Sequence, residues 1–315
     1  MGRFLLRRVT MLIVSLLVAS FVIYGSLYLA PGNPISVLSG GRALPAQSVR
    51  VLEQRYHLNQ PFLVRYWDWL TGAMHGNFGI SFVARENVSA LIAPRIATTA
   101  ELVVYATVII VVFGVLIGLV GALKPGIIDT ASLVLTTVLI ACPSFVAALV
   151  LITIFAIGLG WLPALGNGVG FTGQLVHLTL PAIALATSSL ALVSRITRAA
   201  VRDELEGEHV QTAISRGIPR RQVLRRHVLR NAAIPITTVG GVTIASTIAV
   251  VSVVEEAFNL NGIGAYLVNA AASKDFAVVQ VISLILVAAF IVTNTIVDLL
   301  YAVLDPRVKL GARAA

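Results

Sequence analysis

The sequence predicts an all-α membrane protein with six spanning helices, and three observations carry that prediction. Of 315 residues, 57% belong to the apolar class and only 12% are charged, about half the charge of an ordinary soluble domain. Six stretches are each apolar for about the 20 residues that cross a hydrocarbon core at 1.5 Å per residue. The basic residues behind the net charge of +9 are unevenly shared among the connecting segments. Such a composition excludes disorder and collagen, and a single cysteine, Cys142, excludes a disulfide scaffold.

The predicted spans run over 9–30, 99–123, 130–159, 175–193, 234–254 and 277–304. Each must be helical, because inside lipid every backbone N–H and C=O has to be paired within its own segment. The first follows Arg3, Arg7 and Arg8, as a signal peptide would. Its apolar run of about 20 residues exceeds the 7–15 of a signal, and 43–46 is a poor and distant cleavage site, so a retained helix is expected. The fourth is the least apolar, rich in Ala, Ser and Thr. That composition marks a helix packed on other helices rather than on lipid.

Orientation follows from the basic residues. Arg3, Arg7, Arg8, Lys124, the nine arginines between 195 and 230, Arg307, Lys309 and Arg313 put sixteen of the 23 on one side. The other side holds Lys274 and six arginines within the long 31–98 segment, and long loops escape the positive-inside bias. Both termini are therefore expected in the cytoplasm.

The 31–98 segment opens on a turn at 31–34 and continues as short amphipathic helices. Val51, Leu52, Tyr56 and Leu58 fall at helical spacing, and Phe62, Tyr66, Trp67 and Leu70 follow before Gly72, Gly76 and Gly79 break the pattern. Trp67 and Trp69 are expected at the lipid headgroup level rather than on a solute. Pro143, after Cys142 and before Ser144, kinks span three, and Pro181 kinks span four. Pro143, Ser144 and Pro181 are the path residues the sequence offers, Pro143 first, because such breaks persist where a neighbour or a wet cavity re-pairs the freed carbonyls; kinks that serve packing alone are the alternative. Glu255 and Glu256 are expected at the water-reached end of span five, and Asp298 reads as a structural partner of an arginine near the end of span six.

The 201–233 loop carries the strongest signal. Residues 202–215 read as a helix with Asp203, Glu204, Glu206 and Glu208 early, where they suit the helix dipole. Gly217 supplies a stop and Pro219 the first turn of a second, basic helix over 220–231, after which Pro235 opens span five. A basic amphipathic helix beside a membrane suits anionic lipid. The helix–glycine–helix break inside the most charged loop suits docking on another protein instead.

The stretch E-H-V-Q-T-A-I-S-R-G at 208–217, followed by R-R-H-V-L-R-N-A-A-I-P at 225–235, resembles the EAA loop of ABC importer permeases, nearest the dipeptide and oligopeptide branch. L-A-P-G-N-P at 29–34, H-L-N-Q-P at 57–61 with V-R-Y at 64–66, V-E-E-A-F-N at 254–259 with G-I-G at 262–264, and D-L-L-Y at 298–301 with L-D-P-R at 304–307 resemble further motifs of that branch in order along the chain. Gln211 stands where the branch has Arg, Thr212 at the first alanine of the motif, His209 for Tyr and Asn261 for Pro.

The resemblance implies a type I ABC importer transmembrane-domain fold, with a first helix in 1–30, an extracytoplasmic helical loop in 31–98, a five-helix core in 99–304 and a cytoplasmic tail in 305–315. It implies a multi-pass protein of the bacterial cytoplasmic membrane. The expected partners are a paralogous permease subunit, two ABC ATPase subunits, an extracytoplasmic solute-binding protein and membrane lipid, with no nucleic acid. Glu208, Thr212, Ala213, Arg216 and Gly217 would couple to the ATPase. Ala213 permits close packing there, and Gly217 a backbone conformation closed to larger residues.

Catalytic motifs are absent from the sequence. None of its three lysines, Lys124, Lys274 and Lys309, sits in a G-x-x-x-x-G-K-[ST] loop. It has no H-E-x-x-H or G-x-S-x-G, and its five histidines lack metal spacing. The chain is expected to be a non-enzymatic transport subunit without its own cofactor, with ATP and Mg on partner subunits. The expected solute is a short peptide; glutathione, a nickel complex or an oligosaccharide are alternatives in the same class. An ion-coupled secondary transporter, the other class weighed, would place ionisable groups at span centres and show an inverted repeat. Neither is present in the sequence.

Overall fold

The structure is a computed structural model that describes residues 2–29, 47 and 60–304, with side chains at 6–26, 47 and 60–299. The expected features at 31–34, 43–46, 51–58 and 305–315 lie outside the described residues. In order, the helices are α1 (Gly2–Leu29), α2 (Phe62–Met74), α3 (Val88–Leu123), α4 (Ile127–Ala141), α5 (Ser144–Gly158), α6 (Gly170–Glu206), α7 (Glu208–Ser215), α8 (Arg220–Ala257), α9 (Ile263–Ala272) and α10 (Phe276–Leu304). No strand occurs among the described residues beyond one bridge between Ile80 and Asn87.

Helices α1, α3, α6, α8 and α10 are long and apolar enough to cross a membrane, and α4 with α5 makes a sixth span if the bent pair is counted as one. That pair corrects the expectation of one helix over 130–159: α4 and α5 meet at 107°. Pro143 has no N–H to continue the ladder, and it forces Cys142 out of the helical region to ψ 111°. Pro181 causes no such break. It lies buried inside an unbroken α6, as Pro94 and Pro235 lie inside α3 and α8.

The chain divides into two units. The first comprises residues 1–100 and 260–291. There Phe21 and Tyr24 of α1 meet Phe62, Tyr66 and Trp69 of α2 at ring-centroid distances of 5.2–5.6 Å, and Ser20 Oγ lies 2.8 Å from Tyr66 Oη. Trp69 is thus part of a helix–helix aromatic cluster, whereas Trp67 is exposed. Val88, Ile92, Ile263, Val278, Val281 and Ile282 form the apolar core. Asp275 is buried beside it and accepts from the Ser81 hydroxyl and from the N–H of Phe82 at 3.2 Å. Two further contacts fix α9: its Ile263 N–H donates to Thr99 Oγ1 at 2.9 Å, and Arg95 stacks 4.4 Å above the Tyr266 ring. Burial raises the Tyr266 phenol pKa, and the nearby Asp275 charge adds to the effect.

The second unit comprises residues 101–259 and 292–315, and α6 is its central helix. It packs most extensively on α8, then on α4 and α5, and it is the most deeply buried of the five long apolar helices. That bears out the expectation drawn from its Ala, Ser and Thr content. Gly114 and Gly118 of α3 let that helix reach α6 closely. A Cβ at Gly118 would lie 2.4 Å from the Ser194 carbonyl oxygen and 2.7 Å from Thr197 Cβ. At the start of α4, Asp129 is held by Arg198 Nε at 2.5 Å and Arg202 Nη2 at 2.6 Å, both from α6. At the far end of α8, Glu255 is fully buried and Glu256 exposed, so only the second of the two fits the expected water-reached position.

Candidate functional site: the 201–233 loop

The loop between α6 and α8 folds differently from its predicted form in three respects. First, 202–215 is not one helix. Its first part continues α6 to Glu206, Gly207 turns the backbone to ψ 141°, and α7 starts afresh at Glu208. The Gly207 carbonyl then accepts from Val210 N–H at 3.0 Å and Gln211 N–H at 3.2 Å, opening α7. Second, Pro219 stands one residue ahead of the next helix rather than inside it, and its carbonyl accepts from Gln222 at 2.8 Å and Val223 at 3.0 Å. Third, the basic helix and span five are one, α8, with Pro235 in its interior. A wider π-helical turn at Leu224–Val228 precedes that proline.

Gly217 ends α7. Ile218 N–H reaches back to the Ala213 carbonyl at 3.2 Å, and Gly217 N–H to the Ile214 carbonyl at 2.9 Å. This Schellman pairing needs a left-handed residue between helix and exit, and Gly217 has φ +74°. No atom lies within 4 Å of the place a Cβ would take, so the requirement is one of backbone conformation alone. Gly217→Val is therefore expected to destabilise the loop by about 1–2 kcal/mol, while Gly217→Asn, which tolerates that region, stays near wild type. Limited proteolysis of the loop in detergent checks this; equal cleavage of both variants would contradict it.

Two side chains anchor α7. Val210 and Ala213 are buried among Val201, Val223, Val228 and Ala232, with Ala122 of α3 beneath. Ala213 thus packs closely, the behaviour its size suggests. Glu208, Thr212, Arg216 and Gly217 are all exposed, with Ile214 49% exposed between them. The structure accordingly places these coupling candidates on α7 and the two residues that end it, four exposed and Ala213 buried.

A polar clamp missed by sequence reasoning holds the start of α7. His209 Nε2 lies 3.0 Å from Glu204 Oε2, and Asn231 Nδ2 of α8 donates to the same oxygen at 3.1 Å. The signal was present in Asn231, within the R-N-A stretch of the recognised pattern, and in His209, one of its departures. At the path candidates, Pro143 is exposed on the α4–α5 corner, Ser144 half-buried beside it and Pro181 buried. Ser188 Oγ of α6 donates to the Cys142 carbonyl at that corner, at 3.4 Å.

A family model described as binding-protein-dependent transport system inner membrane component matches residues 110–310, and the model of its N-terminal part matches residues 1–103. The chain belongs to that family. It is therefore a permease subunit of a transport system and a multi-pass inner-membrane protein. Among similar proteins, the oligopeptide transport system permease protein OppB of Escherichia coli is 35% identical over 313 residues, covering 98% of this chain and 100% of its own length. The probable peptide ABC transporter permease protein y4tP of Sinorhizobium fredii is 32% identical over 313 residues, with the same coverage. The glutathione transport system permease protein GsiC of Salmonella choleraesuis is 32% identical over 310 residues, covering 98% of this chain and 99% of its own length. The inner-membrane-component family agrees with the apolar helices long enough to cross a membrane.

Proposed function

We propose that this permease subunit forms half of the pathway of an ATP-driven importer of short peptides, with a paralogous permease subunit as the other half. Both termini and the 201–233 loop face the cytoplasm in this reading, which the uneven share of basic residues supports. Two ABC ATPase subunits hold ATP and Mg, and this chain holds no cofactor of its own. A solute-binding protein delivers peptide from outside. The carrying observation is α7: a two-turn helix fixed from beneath by Val210 and Ala213 and presenting Ile214 and Thr212 outward. That arrangement suits a helix set into a groove on a partner. When the ATPases close on ATP, α7 moves with the groove, and the pathway turns outward. The peptide reading is supported by relatives named for peptide, oligopeptide and glutathione transport.

Purifying the tagged chain in mild detergent tests the assignment, since ATPase subunits are expected to accompany it. Ile214→Asp is expected to lower their recovery about tenfold or more, because a carboxylate would enter an apolar groove. Its own melting temperature should stay unchanged, since Ile214 is not part of the loop's core. A chain that moves solute alone without nucleotide would refute the reading.

A further inference from the structure

We propose that one open stripe of α6 lines the solute pathway and that Arg195 on that stripe receives the carboxylate of the transported peptide, an inference that rests on the peptide-importer reading above. Between Leu178 and Arg202 the exposed positions of α6 are Ser188, Leu192, Arg195 and Ala199. Their spacing of four, three and four residues puts them on one line along the helix. All other positions in that stretch are buried or half-buried. The central helix of the unit therefore opens along a single line, and that line is polar at Ser188 and charged at Arg195.

The stripe continues across to α4. Arg195 Nη2 donates to Thr137 Oγ1 at 2.6 Å, and Ser188 Oγ to the Cys142 carbonyl at the α4–α5 corner. An exposed seam of guanidinium, hydroxyls and a bent-helix carbonyl does not suit lipid tails. Groups of this kind in membrane helices face the bundle interior or a water-filled cavity.

Arg195 differs from the two arginines that follow it. Arg198 and Arg202 are both committed to Asp129, whereas Arg195 forms no ion pair among the described residues. A guanidinium carries five N–H donors in a planar fork that matches a carboxylate. A carrier of peptides with varied side chains can read only what all of them share, and the terminal carboxylate is the shared anion. Seven residues of helix separate Ser188 from Arg195, about 10 Å along the axis, the extended length of roughly three residues.

The test uses the complete transporter with its binding protein in liposomes, given a tripeptide and the same tripeptide as its C-terminal amide. The ratio of acid to amide uptake is expected to fall about tenfold in Arg195→Gln, the loss of one charge-assisted contact. Arg195→Lys should keep part of the ratio. The binding protein and ATPases are common to all variants and cancel from the comparison. A second measurement places Ser188→Cys in a chain whose one cysteine, Cys142, is replaced by serine. A membrane-impermeant thiol reagent should label it, and more slowly while peptide is being transported. This accessibility decides the matter if Arg195→Gln fails to assemble.

An unchanged ratio, an equal fall for both peptides, or a Ser188→Cys that the reagent never reaches would each overturn the proposal while leaving the importer reading intact. A wild type that carries neither peptide would overturn the peptide reading and this proposal with it.

Discussion

Replacing Gly118 with valine is expected to force α3 off α6 and leave little folded protein in the membrane. An added Cβ would lie 2.4 Å from a backbone carbonyl oxygen and 3.1 Å from the Arg198 nitrogen, neither of which can rotate away as a side-chain tip would. Relief requires the helices to separate along their length. The expected loss is about 3 kcal/mol, the upper end of what overpacking produces. Gly240→Ala is the control, because nothing lies within 4 Å of its Cβ position and alanine favours a helix. Melting of the two proteins in detergent separates the cases. If Gly118→Val melted with the wild type, α3 and α6 would not approach as closely as described.

Val210→Asp is the second large effect, and it should strike transport rather than insertion. Val210 is fully buried at the centre of the cluster beneath α7. A carboxylate there finds Val201, Val223 and Val228 in place of hydrogen-bond donors, a loss of about 3 kcal/mol or more. The lost energy exceeds what a two-turn helix can supply from its own hydrogen bonds, so α7 should detach. Reconstituted uptake would then vanish while the chain still reaches the membrane at normal levels, as a membrane fractionation with an uptake assay would read. Val210→Ala, which leaves a small void, should lower uptake only partly. Full uptake by Val210→Asp would mean that α7 does not need its anchor.

What was legible in the sequence was whatever a single segment decides. Apolar length fixes the spans, and the left-handed stop at Gly217 follows from the residue itself. Pro143 shows how local chemistry reads correctly in kind and not in degree: a kink is evident from the proline, but 107° is set by where α4 and α5 find packing partners. Pro235 shows the reverse. A proline after a basic stretch reads as a boundary, yet packing of Ala232 and Val228 on the cluster keeps the helix running through it. The pairing of Asp129 with Arg198 and Arg202 joins residues about 70 positions apart, and nothing in the neighbourhood of Asp129 announces it. The close approach at Gly118 was readable in principle, since Gly114 and Gly118 stand four apart on an apolar helix.

The uninterrupted run of α8 has a mechanical consequence. Its 38 residues span about 57 Å, nearly twice the hydrocarbon thickness, and one end starts three residues beyond Gly217. If the loop is pulled as proposed, the displacement has one continuous helix to follow toward Ala257. The softest places to absorb it are the wide turn at Leu224–Val228 and Pro235, both near the pulled end. Beyond them the helix runs on to Ala257, and the buried Glu255 lies at the end farthest from the loop.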